Sequence, residues 1–468
     1  MTEFSHDTFI SPFTWRYGSS EMRSIFSERH KRELLRTIWI ALARAEAKAG
    51  LVTDEQIAEL EEHRKDIDIE TASRIEAEIK HDLMAEIRTY AAQCPKAGAI
   101  IHLGATSMDV LDNMDALRLK EALRLIISEA RALLSAFLEK MEAYAELPCM
   151  AFTHLQPAEI TTVGYRLAQS AQDLLEDVQE LEAVLASVRG KGMKGAVGTG
   201  ASYKELVAGS GITSIELERL VMEELGLECY EAATQIYTRK QDLRVISALC
   251  ALCCTLYKFS ADFRIMQSPP VGEWSEPFGA KQVGSSAMPF KRNPINCEKV
   301  DSLTRFVSSM YMTAWQNGAT TFLERTLDDS ANRRILLPEA FLATEEALIT
   351  LTRVVSGMSF HESARRRLMD TYGIFSATER LLMELGKAGA DRQEMHEVIR
   401  EESLKAWAEV QNGNENNLRE NLLSDRRILA YLSREKIDSL LDASAYTGDA
   451  GKRTLMVARR IRQELDRP

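Results

Sequence analysis

Between Gly284 and Pro294 the chain reads GSSAMPFKRNP, which crowds the hydroxyls of Ser285 and Ser286, the cations Lys291 and Arg292 and the amide of Asn293 into one short stretch. From composition alone such a stretch reads equally as a linker or as an active-site lid, because exposed loops serve both purposes. It ends the segment QSPPVGEWSEPFGAKQVGSSAMPFKRNP, which holds five prolines and three glycines. Structureless loops beyond about 12 to 15 residues are usually functional or disordered, and this punctuation favours a small, glycine-hinged lid. A second stretch, ELPCMAFTHLQPAE, sets His154 between Pro148 and Pro157, at a tight connection near the ends of two long helices. A third, TLDDSANRR from Thr326 to Arg334, reads on its own as a charged helix start capped by Asp or Ser.

Other motifs carry less. Gly190-Lys191-Gly192-Met193-Lys194-Gly195 satisfies GxGxxG but follows the helical run LLEDVQELEAVLASVR. The dinucleotide fingerprint needs a strand before it, so this is a glycine-rich loop, and no G-x-x-x-x-G-K-[ST] pattern points to ATP. Cys250, Cys253 and Cys254 lie in an apolar helical run with no histidine nearby and read as buried core thiols. Seven cysteines without regular spacing argue against a disulfide framework. The eight histidines form no zinc pattern, so neither metal nor cofactor is expected. A net charge of -12 disfavours a nucleic-acid surface, and an anionic ligand must then meet a local basic pocket. Arg365, Arg366 and Arg367 read instead as a solvated helix face. No run of about 18 uncharged apolar residues suggests a membrane span. The start, MTEFSHDTFISPFTWR, has no apolar leader core, so a cytoplasmic address is expected.

The elements that must position these residues are helices. With 45% hydrophobic and 27% charged residues the chain is globular, and at 468 residues it should divide into two or three domains. No proline occurs between Pro157 and Pro269 or between Pro338 and Pro468, so long helices can run there uninterrupted. Leu119, Leu123, Ile126, Ala130, Leu133 and Phe137 alternate at spacings of four and three, the seam of a helix packed along another. A second stripe runs Ile160, Val163, Leu167, Leu174, Val178, Leu181, Leu185, Val188, and a third Leu243, Ile246, Cys250, Cys253. Helices of about 30 residues span about 45 Å, so several must stack, and some apolar faces should meet other copies of the chain. No convincing strand alternation or internal repeat is visible.

The letters decide the open readings. GSSxMPxKxNP at Gly284–Pro294 resembles the signature of the fumarase and aspartase superfamily, and Gly104-Ala105-Thr106-Ser107 and Thr153-His154-Leu155-Gln156-Pro157-Ala158 resemble its two other active-site stretches. Four more segments resemble the adenylosuccinate lyase branch: Arg16-Tyr17, Lys80-His81-Asp82-Leu83-Met84-Ala85, Gln235 to Lys240, and Glu324 to Arg334. The resemblance runs over essentially the whole chain. It implies an all-α long-helix bundle in three helical domains, an N-terminal one over 1–110, a central oligomerisation core over 111–362 and a C-terminal one over 363–468. It also implies a homotetramer whose active sites are shared between subunits.

The reaction implied is β-elimination of fumarate from adenylosuccinate, giving AMP, and from the succinyl-aminoimidazole carboxamide ribonucleotide, giving AICAR. The resemblance assigns the base to Ser285 and the acid to His154; a histidine suits that role because its unperturbed pKa lies near the working pH. Serine needs activation, which Lys291 and backbone N–H groups of the loop would supply. Thr106, Ser107, Lys291 and Asn293 fit a cradle for the carboxylate on which charge builds, with His81 beside the succinyl group. Arg16, Tyr17, Ser330 and Arg334 fall near the phosphate, and Arg325, Gln235 and Asp82 nearer the ribose or base. Lys80 and Lys299 stand where some relatives carry arginine, keeping charge but losing the two-pronged fork. The rivals are another lyase of the superfamily, acting on argininosuccinate, malate or aspartate, and a helical scaffold without catalysis.

Overall fold

The computed structural model describes residues 7–467, so the reading of the N-terminal start falls partly outside the described residues. The principal elements are α1 (Glu28–Lys48), α2 (Ile69–Ile79), α3 (Asp82–Gln93), α4 (Ser107–Ala143), β1 (Pro148–Thr153), β2 (Gln156–Thr162), α5 (Val163–Ser187), α6 (Lys240–Gln267), α7 (Ile295–Ser309), α8 (Ser330–Gly357), α9 (Glu362–Lys387) and α10 (Arg392–Gln411). The fold is all-α, with short strands as accessories. The chain forms two compact units, one from the residues up to Ala130, Asp177–Cys254 and Ser302–Leu348, the other from Arg131–Glu176, Thr255–Asp301 and the chain from Ile349 on.

The long helices follow the apolar stripes. Leu119, Leu123, Ile126, Ala130, Leu133 and Phe137 are all buried along α4, and Val163, Leu167, Leu174, Val178 and Leu181 along α5. Ile160, the first residue of that second stripe, belongs to β2 instead. In the first unit α1 buries Leu35, Ile38 and Trp39 against Leu83, Ile87 and Tyr90 of α3. In the second, Leu381 and Leu385 of α9 pack with Met395, Val398 and Ile399 of α10. Cys253 is buried on α6 as expected, Cys250 half-buried, and Cys254 exposed, contrary to the sequence reading. α6 is long and apolar enough to cross a membrane by length and composition, and half of that stretch is buried within the chain.

The second unit corrects the connection around His154. It is an antiparallel hairpin, β1 with β2, in which Thr153 pairs with Gln156. The register slips between Met150 and Phe152, and such a bulge destroys the period-two alternation that would have revealed the strands. Met150 and Ile160 pack on Leu368 and Ala377 of α9. Of the arginine run on α9, only Arg365 is less solvated than expected: it is half-buried and donates to the carbonyl of Pro148 at 2.5 Å. Arg366 and Arg367 are exposed, the first bonded to Glu362 and the second to the carbonyls of Pro270 and Val271 at 3.0 Å.

Candidate active site

Lys80, His81 and Asp82 sit at a junction that their own backbone creates. Lys80 ends α2 in the left-handed conformation, φ 57°, and its N–H closes on Glu76 at 2.8 Å. His81 then caps α3, its Nδ1 accepting from the N–H of Met84 at 3.3 Å. With Nδ1 so used, the imidazole keeps Nε2 for other partners. Thr106 and Ser107 form the start of α4, where the first N–H groups of a helix have no partner within it. Arg325 is held by Asp329 at 2.8 Å, Ser330 opens α8, and the Gln235 N–H donates to the Glu324 carbonyl at 3.2 Å.

Lys80, His81, Asp82, Thr106, Ser107, Gln235, Arg325, Ser330 and Arg334 line one cavity of about 620 Å³. That is nine of the fourteen substrate-binding residues assigned from sequence. The volume suits an organic ligand of nucleotide size. Arg16 and Tyr17, also of the first unit, are not among its lining residues. Arg16 is exposed, its guanidinium 5.8 Å from the Tyr17 ring.

Beneath the cavity lies a web of buried charge. Arg239 donates to Asp329 at 2.6 Å and to both oxygens of Asp112, and Arg333 to Asp242 at 2.7 Å and to Asp115 at 3.0 Å. Burial alone would raise the Asp329 carboxyl, but Arg239 and Arg325 hold it below the usual carboxylate range. The neighbours Arg333 and Arg334 thereby differ. The Arg333 side chain is 9% exposed with its fork occupied, whereas that of Arg334 is 66% exposed and meets Asp82 at 3.4 Å.

Sequence reasoning missed Asp115, Arg118 and Arg333 in this lining. The signal for the first two was available. Ser107, Leu111, Asp115 and Arg118 recur at helical spacing on the face that the Thr106–Ser107 motif begins. His102 is not among the lining residues: its Nδ1 accepts from the Trp39 indole at 3.1 Å, and burial pushes it down to about 4, so that it stays neutral.

The residues assigned to proton transfer belong to the second unit. His154 and Leu155 are the two turn residues of the β1–β2 hairpin, at φ 52° and 59°. Two-residue hairpin turns of type I′ require both φ values positive and favour Asn-Gly, so the imidazole is presented on a strained tip. Ser285 lies in the long loop before α7, where its Oγ accepts from the N–H groups of Met288 at 3.1 Å and Ala287 at 3.4 Å. The loop folds on itself: a Cβ at Gly284 would lie 2.1 Å from the Lys291 carbonyl, and Asn293 Nδ2 donates to the Gly284 carbonyl at 3.3 Å. Lys291 is exposed, and Lys299 is half-buried on α7.

Comparison with known proteins gives this architecture its class. Over 96% of its length the chain superposes on the 3-carboxy-cis,cis-muconate lactonizing enzyme of Pseudomonas putida, covering 99% of that chain with a TM-score of 0.84 at 24% identity. It superposes likewise on a fumarate lyase from Mesorhizobium sp. BNC1, over 94% of this chain and 98% of that one, at a TM-score of 0.82 and 21% identity. The fold is the helical one that these two enzymes share. Residues 16–308 match the family model described as Lyase, and residues 375–455 that described as Adenylosuccinate lyase C-terminus. The adenylosuccinate lyase of Schistosoma mansoni is 39% identical over 91% of this chain and 89% of its own. That of Saccharomyces cerevisiae is 38% identical over 95% and 93%. The chain belongs to the adenylosuccinate lyase family and is a lyase.

Proposed function

We propose that this chain eliminates fumarate from adenylosuccinate to give AMP and from the succinyl-aminoimidazole carboxamide ribonucleotide to give AICAR. The observation that carries the reading is the convergence of nine motif residues from separated segments on one cavity with Lys80, Arg325 and Arg334 in its wall. Guanidinium forks suit a phosphate, which the small-acid substrates of related lyases do not need.

In this reading Ser285 removes the proton from the succinyl carbon β to the nitrogen, and His154 protonates the leaving nitrogen. The two backbone N–H groups already aimed at the Ser285 Oγ are the donors that would stabilise its alkoxide. Thr106, Ser107, Lys291 and Asn293 cradle the carboxylate on which charge builds. The working form is a homotetramer in which several chains complete each site, so mixing His154→Asn and Ser285→Ala chains restores part of the activity. The test is ultraviolet absorbance and fumarate release after adding adenylosuccinate to the purified protein. Fumarate and AMP in equal amounts support the reading. A folded oligomer that releases none overturns it and points to argininosuccinate, malate or aspartate as substrates.

A further inference from the structure

The glycine-rich stretch that imitates a dinucleotide fingerprint does bind an anion, and the anion is the protein's own. The carboxylate of Asp109, with no exposed surface, accepts from five donors. Lys191 Nζ reaches Oδ1 at 2.6 Å, and the backbone N–H groups of Lys194 and Gly195 reach it at 3.1 Å. The Tyr203 hydroxyl donates to Oδ2 at 3.1 Å, and the N–H of Thr106 to Oδ2 at 3.0 Å. The glycines allow this approach: a Cβ at Gly190 would lie 2.3 Å from Asn113 Oδ1, and one at Gly192 2.3 Å from Glu218 Oε2. Asn113, one turn along α4, exchanges bonds with the N–H and carbonyl of Gly192.

One of the five donors belongs to the cavity wall. Thr106 and Ser107 line the cavity, and Asp109 closes back on the Thr106 N–H as the third residue of a capped helix does. The same carboxylate therefore fastens the wall of the cavity to a loop some eighty residues further along the chain. With the Thr106 N–H consumed inward, the hydroxyls of Thr106 and Ser107 and the next free N–H groups of the helix start remain for a ligand. Donors fixed before the reaction stabilise developing charge without having to reorganise.

We propose that Asp109, neutralised by Lys191, is a positioning residue for the elimination, holding the Thr106–Ser107 turn in register with the succinyl carboxylate. This rests on the function proposed above. The role is separable from nucleotide binding, because AMP lacks the succinyl group and would engage Asp82, Gln235, Arg325 and Arg334.

The test is the double variant Asp109→Asn/Lys191→Met, which removes both buried charges together, assayed beside the wild type. Expected are an unchanged circular dichroism spectrum, an AMP dissociation constant within about twofold of wild type, and kcat for fumarate release lowered at least about tenfold, the scale of a small misplacement of reacting groups. Inhibition by added fumarate weakens in parallel. A folded double variant with wild-type kcat overturns the proposal, as does equal loss of AMP and fumarate binding, which a merely structural role produces. Should that variant not fold, Tyr203→Phe removes one of the five donors without changing charge. Lowered kcat with unchanged AMP affinity then supports the proposal, and unchanged kcat overturns it. A wild type that releases no fumarate removes the functional reading itself, whereas an active wild type with a fully active variant removes only the role of Asp109.

Discussion

The wall of the cavity in the first unit and the His154 and Ser285 segments of the second are held by different means. Around the cavity, Arg239, Arg325 and Arg333 are locked to Asp112, Asp329, Asp242 and Asp115 in largely buried pairs. His154 stands exposed on a two-residue turn, and Ser285 is held by N–H groups two and three residues away. The cavity thus rests on a frame of buried charge pairs, while the groups assigned to proton transfer depend on local backbone shape. Substitutions in that frame should register as stability, and those at Ser285 and His154 as rate.

Removing the proposed base gives the largest separation. Ser285→Ala should lower fumarate release by about a hundredfold or more, the scale of a lost acid-base group, while the urea midpoint stays within experimental scatter. A large stability loss would show that the loop is as interlocked as the cavity. Next come the arginine neighbours. Arg333→Met strands Asp242 in the interior and should destabilise by about 3 to 5 kcal/mol, read by urea unfolding. Arg334→Met should leave stability nearly untouched and weaken AMP binding by about tenfold, as loss of a charge-assisted bond to phosphate would, read by calorimetry. Equal effects of the two would erase the distinction between the buried and the exposed arginine.

A smaller effect concerns Glu46 on α1, which is fully buried with neither carboxylate oxygen hydrogen-bonded. Burial pushes its carboxyl up to about 8 from an ordinary 4.5. The folded state then binds the proton more tightly than the unfolded one, so its contribution is fully present below about pH 4.5 and lost as pH rises toward about 8. Glu46→Gln should flatten the fall in stability between pH 5.5 and 8, on the order of a few kcal/mol. Parallel curves for the two proteins would count against it. The smallest effect is at the hairpin tip. Leu155, 69% exposed at φ 59°, should gain up to about 1 kcal/mol on replacement by glycine, which adopts that conformation without strain; a thermal melt reads this.

Much of the cavity was legible because its residues come as short contiguous strings, Lys80-His81-Asp82 or Thr106-Ser107, whose letters survive without geometry. The helices were legible because an apolar stripe such as Leu119 to Phe137 is a local period. What escaped was non-local or irregular. The bulge between Met150 and Phe152 hid a hairpin, and Asp109 and the Gly190–Gly195 loop were each visible without any sign that they meet. Arg333 and Arg334 are indistinguishable as letters. Adjacent positions on a helix point about 100° apart, and only the packing of α8 shows which of the two turns inward.

The turn at His154 and Leu155 has a consequence for how this protein responds to selection. Both positions favour glycine or asparagine on backbone grounds alone, so variants chosen only for thermal resistance should drift toward those residues. At Leu155 that drift is harmless to the proposed chemistry; at His154 it removes the imidazole. On the role proposed for His154, stability and turnover therefore pull in opposite directions at a single codon, and a library screened for heat tolerance without an activity check would accumulate well-folded, silent enzymes there.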